Sequence, residues 1–147
     1  MLHQHIFLFN KLYSTKGNYM QYIELVIIFS VLQFLFFGVM AGKARVKFGV
    51  KAPAVTGHEG FERAYRVQMN TLEMLILFIP AIAIAGKYWP AAVVAGIGSV
   101  YLLGRFLYWR AYVTAPAKRA VGFMLSLLPI VVLIFLSLGG IVMSFAK

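Results

Sequence analysis

The sequence predicts an all-α integral membrane protein built as a bundle of four transmembrane helices. Of its 147 residues, 62% are hydrophobic and 12% charged, about half the ~25% charged share of an ordinary soluble domain. Mean hydropathy is +0.85. The apolar residues gather into four runs, roughly 22–41, 67–85, 91–110 and 121–145. Each is close to the ~20 residues that carry a helix across a ~30 Å hydrocarbon core. None shows the alternating segments of about ten residues that mark barrel strands, so a helix is the geometry that pairs every backbone amide in lipid.

Each element has its own punctuation. Residues 1–19 read as a poorly ordered N-terminal extension. His3, Phe7, Lys11 and Lys16 do not follow the basic, apolar, small-residue order of a cleaved signal, and Met20 offers a second start. His3 and His5 on such a terminus are assigned no metal role. Gly42-Lys43 closes the first span and Gly86-Lys87 the second. Pro90 suits the start of the third helix, and Pro116 precedes the fourth. Pro80 and Pro129 lie inside spans 2 and 4, where neighbouring groups in a bundle can satisfy the freed carbonyls. Residues 20–147 are thus one membrane domain.

The net charge of +10 is distributed by topology. Ten cations (Lys43, Arg45, Lys47, Lys51, Arg63, Arg66, Arg105, Arg110, Lys118 and Arg119) belong to one side, and Lys11, Lys16, Lys87 and Lys147 to the other. The positive-inside rule then puts the segments between spans 1–2 and 3–4 in the cytoplasm and both termini outside. Lys43, Lys47, Lys51, Arg110 and Lys118 read as topology signals and lipid headgroup contacts, and a nucleic-acid partner is excluded. Trp89 and Trp109 fit an interfacial aromatic belt. His58 and Glu59 read as solvated loop residues.

Two polar rows resist that reading. At ~100° per residue, Arg63, Arg66, Asn70 and Glu73 fall within an arc of about 80° on one face of the second helix. Asn70 and Glu73 lie inside the hydrocarbon layer, where ionisable groups are costly and mark function by default. Arg66 or Arg105 is the expected partner of the Glu73 carboxylate. On the third helix Tyr101, Arg105, Tyr108 and Tyr112 share an arc of about 60°, Tyr101 being the member that best suits a belt. Helix direction brings both rows, with Arg45 and Arg119, to one leaflet. Guanidinium groups bind carboxylates bidentately and Glu73 can receive an ammonium, so the cluster suits a small polyanion carrying one ammonium, beside an apolar wall for a lipophilic second substrate. With zero cysteines, neither a protein-thiol peroxidase nor a cysteine-ligated metal site is possible. No metal is expected.

The stretch Phe61-Glu62-Arg63-Ala64-Tyr65-Arg66-Val67-Gln68-Met69-Asn70-Thr71-Leu72-Glu73 resembles the signature of the MAPEG superfamily, the membrane-associated proteins of eicosanoid and glutathione metabolism. The resemblance covers about residues 22–145. It implies a homotrimer of four-helix subunits that binds glutathione as cosubstrate between neighbours near one membrane face. By position, Arg66, Asn70, Glu73, Arg105, Tyr108 and Tyr112 would line the glutathione site from one subunit, with Arg45 and Gln68 contributed by the next. Gln68 points about 160° away from Asn70, which agrees with that split. Arg119 matches the arginine that activates the thiol in the leukotriene-synthase branch. The pattern departs from that branch at Met74, where it has a tyrosine, at Thr71, where a cysteine is common, and at Val46, where it has a second arginine. The implied activity is therefore that of a generalist glutathione transferase of bacterial type, acting on lipophilic electrophiles and lipid hydroperoxides. The implied setting is a bacterial inner membrane, or an ER-type membrane in a eukaryote. The alternatives are a non-catalytic lipid-binding member of the same superfamily and a small four-span multidrug transporter, for which Glu24 and Glu73 would be the membrane carboxylates.

Overall fold

The computed structural model describes the backbone of residues 2–146 and the side chains of residues 20–146. Four helices account for nearly all of it: α1 (Leu2–Lys47), α2 (Glu59–Tyr88), α3 (Ala91–Thr114) and α4 (Arg119–Phe145), with a 3-10 turn at Pro116–Lys118 leading into α4. No strand occurs among the described residues. All four helices are long and apolar enough to cross a membrane, as the four apolar runs predict. Each extends past its run, because helical hydrogen bonding does not stop at the hydrocarbon edge. α1 begins at Leu2 and passes Met20 without a break. The side chains of residues 1–19, with the expectation of a poorly ordered extension and the histidines His3 and His5, fall outside the described set.

The start of α2 corrects one expectation. His58 is its N-cap: the Nδ1 atom accepts the Gly60 amide at 3.0 Å, and the ring stacks on Phe48 at 3.9 Å. Glu59 and Glu62 occupy the first turn, where carboxylates complement the positive end of the helix dipole. Glu62 also accepts the Gly57 amide at 2.9 Å. Neither His58 nor Glu59 is a free loop residue, because the loop ends as soon as His58 can satisfy an orphan amide. At the far end Trp89 and Pro90 alone connect α2 to α3. Trp89 donates its Nε1 proton to the Leu136 carbonyl of α4 at 2.7 Å, which ties this short link to the bundle.

α2 and α3 lie in the middle. α1 packs on both of them and α4 packs on both, while α1 and α4 do not meet among the described residues. The core between them holds Ile23 and Val26 of α1, Phe78, Ile82 and Ala85 of α2, Val94 and Tyr101 of α3, and Ile130 and Leu133 of α4. Lipid is as apolar as leucine, so close approach of small residues does much of the work of joining membrane helices. The α3–α4 seam, the most extensive in the molecule, shows this. A Cβ on Gly104 would lie 2.6 Å from the carbonyl carbon of Leu125 and the amide nitrogen of Ser126. One on Gly122 would overlap the backbone of Tyr108. These two glycines hold Tyr108 one turn from Arg119.

Gly104→Ala and Gly122→Ala are each expected to destabilise the solubilised protein by roughly 1–3 kcal/mol, because the clash is with backbone rather than with a side chain that can turn away. Gly96, whose added Cβ meets nothing within 4 Å, is the control: Gly96→Ala should be neutral or stabilising by up to about 1 kcal/mol. Thermal unfolding in detergent distinguishes the two signs.

Candidate functional site

Periodicity makes one stripe of α2 the buried one: Phe61, Ala64, Val67, Thr71, Met74, Leu75 and Phe78. Thr71 is its polar member. It faces Arg105 of α3, whose side chain is fully buried. The Arg105 guanidinium donates from Nη2 to Thr71 Oγ1 at 2.7 Å and from Nη1 to Asn70 Oδ1 at 3.0 Å. Its Cζ lies 4.3 Å from the ring centroid of Tyr108. Thr71 passes its own proton to the Val67 carbonyl at 2.6 Å, and Asn70 Nδ2 donates to Glu73 Oε2 at 3.0 Å.

Asn70 therefore stands between Arg105 and Glu73, where a direct ion pair with Arg66 or Arg105 was expected. An amide presents an acceptor on one side and donors on the other. The three-residue spacing to Glu73 puts both groups on one helix face. Among the described residues the ion pair is elsewhere, between Arg63 and Glu59. The buried guanidinium thus has uncharged hydrogen-bonding partners, and its Nε is buried with none. The carboxylate nearest to this cation, Glu73, is reached through the Asn70 amide and not by direct contact.

From Arg105 the contacts continue toward the end of α3. Tyr108 and Tyr112 have ring centroids 5.3 Å apart. Arg119 Cζ lies 5.4 Å from the Tyr112 centroid, and its Nη1 donates to the Pro116 carbonyl at 3.0 Å. Guanidinium, ring, ring and guanidinium follow one another from the buried interior to the membrane edge. Two cavities flank Tyr112. One of about 550 Å³ is lined among others by the charged side chains of Glu59, Glu62, Arg63 and Arg66, with Tyr65. The other, of about 480 Å³, has walls of Tyr108, Phe123 and Met124 with Arg119 at its rim. A chamber lined by several charged side chains and one whose only charged lining residue is Arg119 meet at a shared tyrosine.

Most of the expected residues come together, in roles that differ. Asn70, Glu73, Arg105, Tyr108, Tyr112 and Arg119 form one connected series, and Arg66 lines the first cavity beside Tyr112. Arg105, expected to line the site, has no exposed surface in the single chain and is enclosed by Asn70, Thr71 and Tyr108. Glu73 lies exposed on the outer face of α2 beside exposed Leu72, Ile76 and Leu77. Arg45 and Gln68 stand apart on the α1–α2 seam. Arg45 donates to the carbonyls of Ala54 at 2.8 Å and Val50 at 3.4 Å, with its Cζ 4.4 Å over the Phe61 ring. Gln68 packs against Gly38. Tyr101 belongs to the core, stacked on Phe78 at 4.0 Å. Sequence reasoning missed Thr71 and Tyr65. A lone hydroxyl on an otherwise apolar stripe was the signal for Thr71.

The MAPEG family model matches residues 23–139. Microsomal glutathione S-transferase 2 of Homo sapiens is 42% identical over 120 residues, covering 82% of each chain. An uncharacterized protein of Synechocystis sp. is 42% identical over 110 residues, 75% of this chain and 80% of the relative. Leukotriene C4 synthase of Bos taurus is 34% identical over 94 residues, 64% of this chain and 63% of the synthase.

Thr71→Val keeps the volume and removes the acceptor of a buried charged donor, and should cost about 1–3 kcal/mol. Thr71→Ser should recover most of that loss. Melting curves of the two variants in the same detergent provide the check; equal melting points would remove Thr71 from the network.

Proposed function

The chain belongs to the MAPEG family, and we propose that it is a glutathione-dependent membrane transferase. It joins the glutathione thiolate to lipophilic electrophiles, and reduction of lipid hydroperoxides is a second outcome of the same thiolate. The observation that carries this reading is the series from Glu73 through Asn70, the buried Arg105 and Tyr108 to Tyr112, where a cavity holding Arg66 and one holding Arg119 meet. Support comes also from the transferase and synthase relatives. The higher identity to the transferase agrees with Thr71, Met74 and Val46, which depart from the synthase pattern.

In this reading the charged groups divide the tripeptide among them. Arg66 and its neighbours in the first cavity take carboxylates, and Glu73 takes the ammonium. Arg105, enclosed in the single chain, fixes the Asn70 amide and the Tyr108 ring. Glu73 is exposed in a single chain at hydrocarbon depth, and Arg45 and Gln68 face away from it. A homotrimer in which the neighbour's Arg45 and Gln68 complete the site answers both facts. The segments 1–2 and 3–4, and so the site, are assigned to the cytoplasmic side on charge distribution.

Chemistry rests on the thiol. A thiol of ordinary pKa near ~8.5 is little ionised at neutral pH. Lowering that pKa by about two units takes roughly 2.7 kcal/mol of preferential thiolate stabilisation. A guanidinium next to the sulfur in a low-dielectric cavity supplies interactions of this size, and Arg119 is the one at the rim of the second chamber. The thiolate then forms its bond to an electrophilic carbon as the leaving group departs with its electron pair. On a hydroperoxide it attacks the terminal oxygen, the O–O bond breaks and the alkoxide leaves, giving a sulfenic acid that a second glutathione converts to the disulfide with loss of water.

Stopped-flow ultraviolet absorbance tests the mechanism on purified, detergent-solubilised protein mixed with glutathione at neutral pH. A fast rise in thiolate absorbance is expected, reduced by more than about tenfold in Arg119→Ala, as loss of the full two pKa units of stabilisation requires. No rise in the wild type, with glutathione bound, would instead make the chain a non-catalytic binding member of the family. A rise undiminished in Arg119→Ala would move the activating role to another group.

A further inference from the structure

A third cavity, of about 310 Å³, opens at the same end of the bundle on a different face, where the last turns of α1 and α3 meet the first turns of α2. Its floor is made of small residues, Ala44, Gly60 and Ala64, and its walls are Phe48, Trp109 and Val113. Gly60 is required there: a Cβ would come within 2.5 Å of the Phe48 ring. The charged groups of the lining are two ammoniums, Lys43 and Lys47, with no carboxylate. They stand four residues apart and so on one face of α1, both exposed, with Lys47 Nζ 5.3 Å from the Phe48 ring.

This face is separate from the site above. Lys43 points about 160° around α1 from Arg45, the residue assigned to a subunit boundary. Trp109 stacks with Phe36, Phe37 and Phe106 and packs on the Phe37–Val67–Tyr108 cluster, so the groove backs onto the Tyr108 series while opening on another face. The depth is also defined. The ends of three membrane helices meet here, so the ammoniums lie at the headgroup level and the aromatic walls reach into the acyl region beneath them. A basic groove between helices at that level is the arrangement that holds an anionic headgroup.

We propose that this groove is a binding site for one anionic phospholipid per chain. The phosphate lies between Lys43 and Lys47, and the upper part of an acyl chain lies along Phe48, Trp109 and Val113 over the Ala44–Gly60–Ala64 floor. Charge complementarity selects the headgroup, and the apolar walls distinguish a lipid from a free anion. The site bridges α1, α2 and α3 at the end where their loops are longest, so its occupant braces the frame around the glutathione cavity without touching it. The assignment stands independently of the transferase reading.

Native mass spectrometry of the protein in a neutral detergent tests it, with phosphatidylglycerol and phosphatidylcholine of identical acyl chains added at equal mole fraction. Each ammonium near an anionic surface is worth roughly fivefold in affinity, so phosphatidylglycerol should be preferred by about twentyfold, with one molecule retained per chain. Lys43→Gln with Lys47→Gln should remove that preference. Lys51→Gln with Lys118→Gln, two basic positions outside the groove, should leave it in place. Val113→Asp, which adds a carboxylate to the wall, should cut retention as strongly as the lysine pair. Equal retention of the two lipids, or equal loss in the Lys51/Lys118 control, would overturn the site in favour of diffuse surface charge. Displacement of the lipid by inorganic phosphate alone would overturn the lipid assignment.

Discussion

A guanidinium inside a membrane bundle must be surrounded by partners before the helices around it can be anything but liabilities. Arg105 imposes that condition here. α2 meets it with two consecutive residues of different character: Thr71 on its buried stripe and Asn70 at the stripe's margin. The requirement fixes the rotation of α2 against α3, because a turn of a few tens of degrees would withdraw one acceptor or the other. Gly104, next to Arg105 in the chain, lets α4 close on α3. The seam that follows sets Tyr108 beside Gly122 and Arg119 at the mouth.

Seen from the ligand's side, the same group acts at one remove. Arg105 has no exposed surface and exerts its influence through an amide and a ring. Asn70 couples a buried cation to an exposed anion while keeping them apart, and so orients Glu73 without neutralising it. Direct pairing would have cancelled both charges, which the proposed recognition of a zwitterionic peptide needs apart. The two chambers on either side of Tyr112 extend the logic outward, one rich in charge and one holding Arg119 alone. A hydrophilic thiol and a membrane-soluble partner can then approach a single point from different phases.

Much of this could be read from the chain. Lipid forbids unpaired amides, so four apolar runs of the right length imply four helices, and the 3.6-residue repeat places Asn70, Glu73, Arg105 and Tyr108 on specific faces. The repeat also separated Gln68 from Asn70, as the structure does. Periodicity reports which way a residue points, though not what it meets. It could not say that Arg105 would find Thr71 and Asn70 before Glu73. Arg45 illustrates a second limit. Its partners, the carbonyls of Val50 and Ala54, belong to a loop whose path obeys no repeat. His58 was taken for a loop residue because an N-cap is defined by backbone geometry, and histidine is not among the usual capping types.

The two-residue link between α2 and α3 has a consequence for how the chain is made. α3 is the least apolar of the four spans, with a mean hydropathy of 1.5 against 1.8 to 2.7 for the others. It carries Arg105, a residue worth ~2.5–3.5 kcal/mol against insertion at the centre of an isolated helix. The hydrogen-bond acceptors that offset this penalty, Asn70 and Thr71, are both on the preceding helix, and Trp89-Pro90 keeps that helix within one turn's reach. α3 is thus favoured to enter the bilayer as the second arm of a hairpin, its guanidinium already shielded by α2. The connection that looks like the simplest part of the molecule is what makes its most expensive residue deliverable.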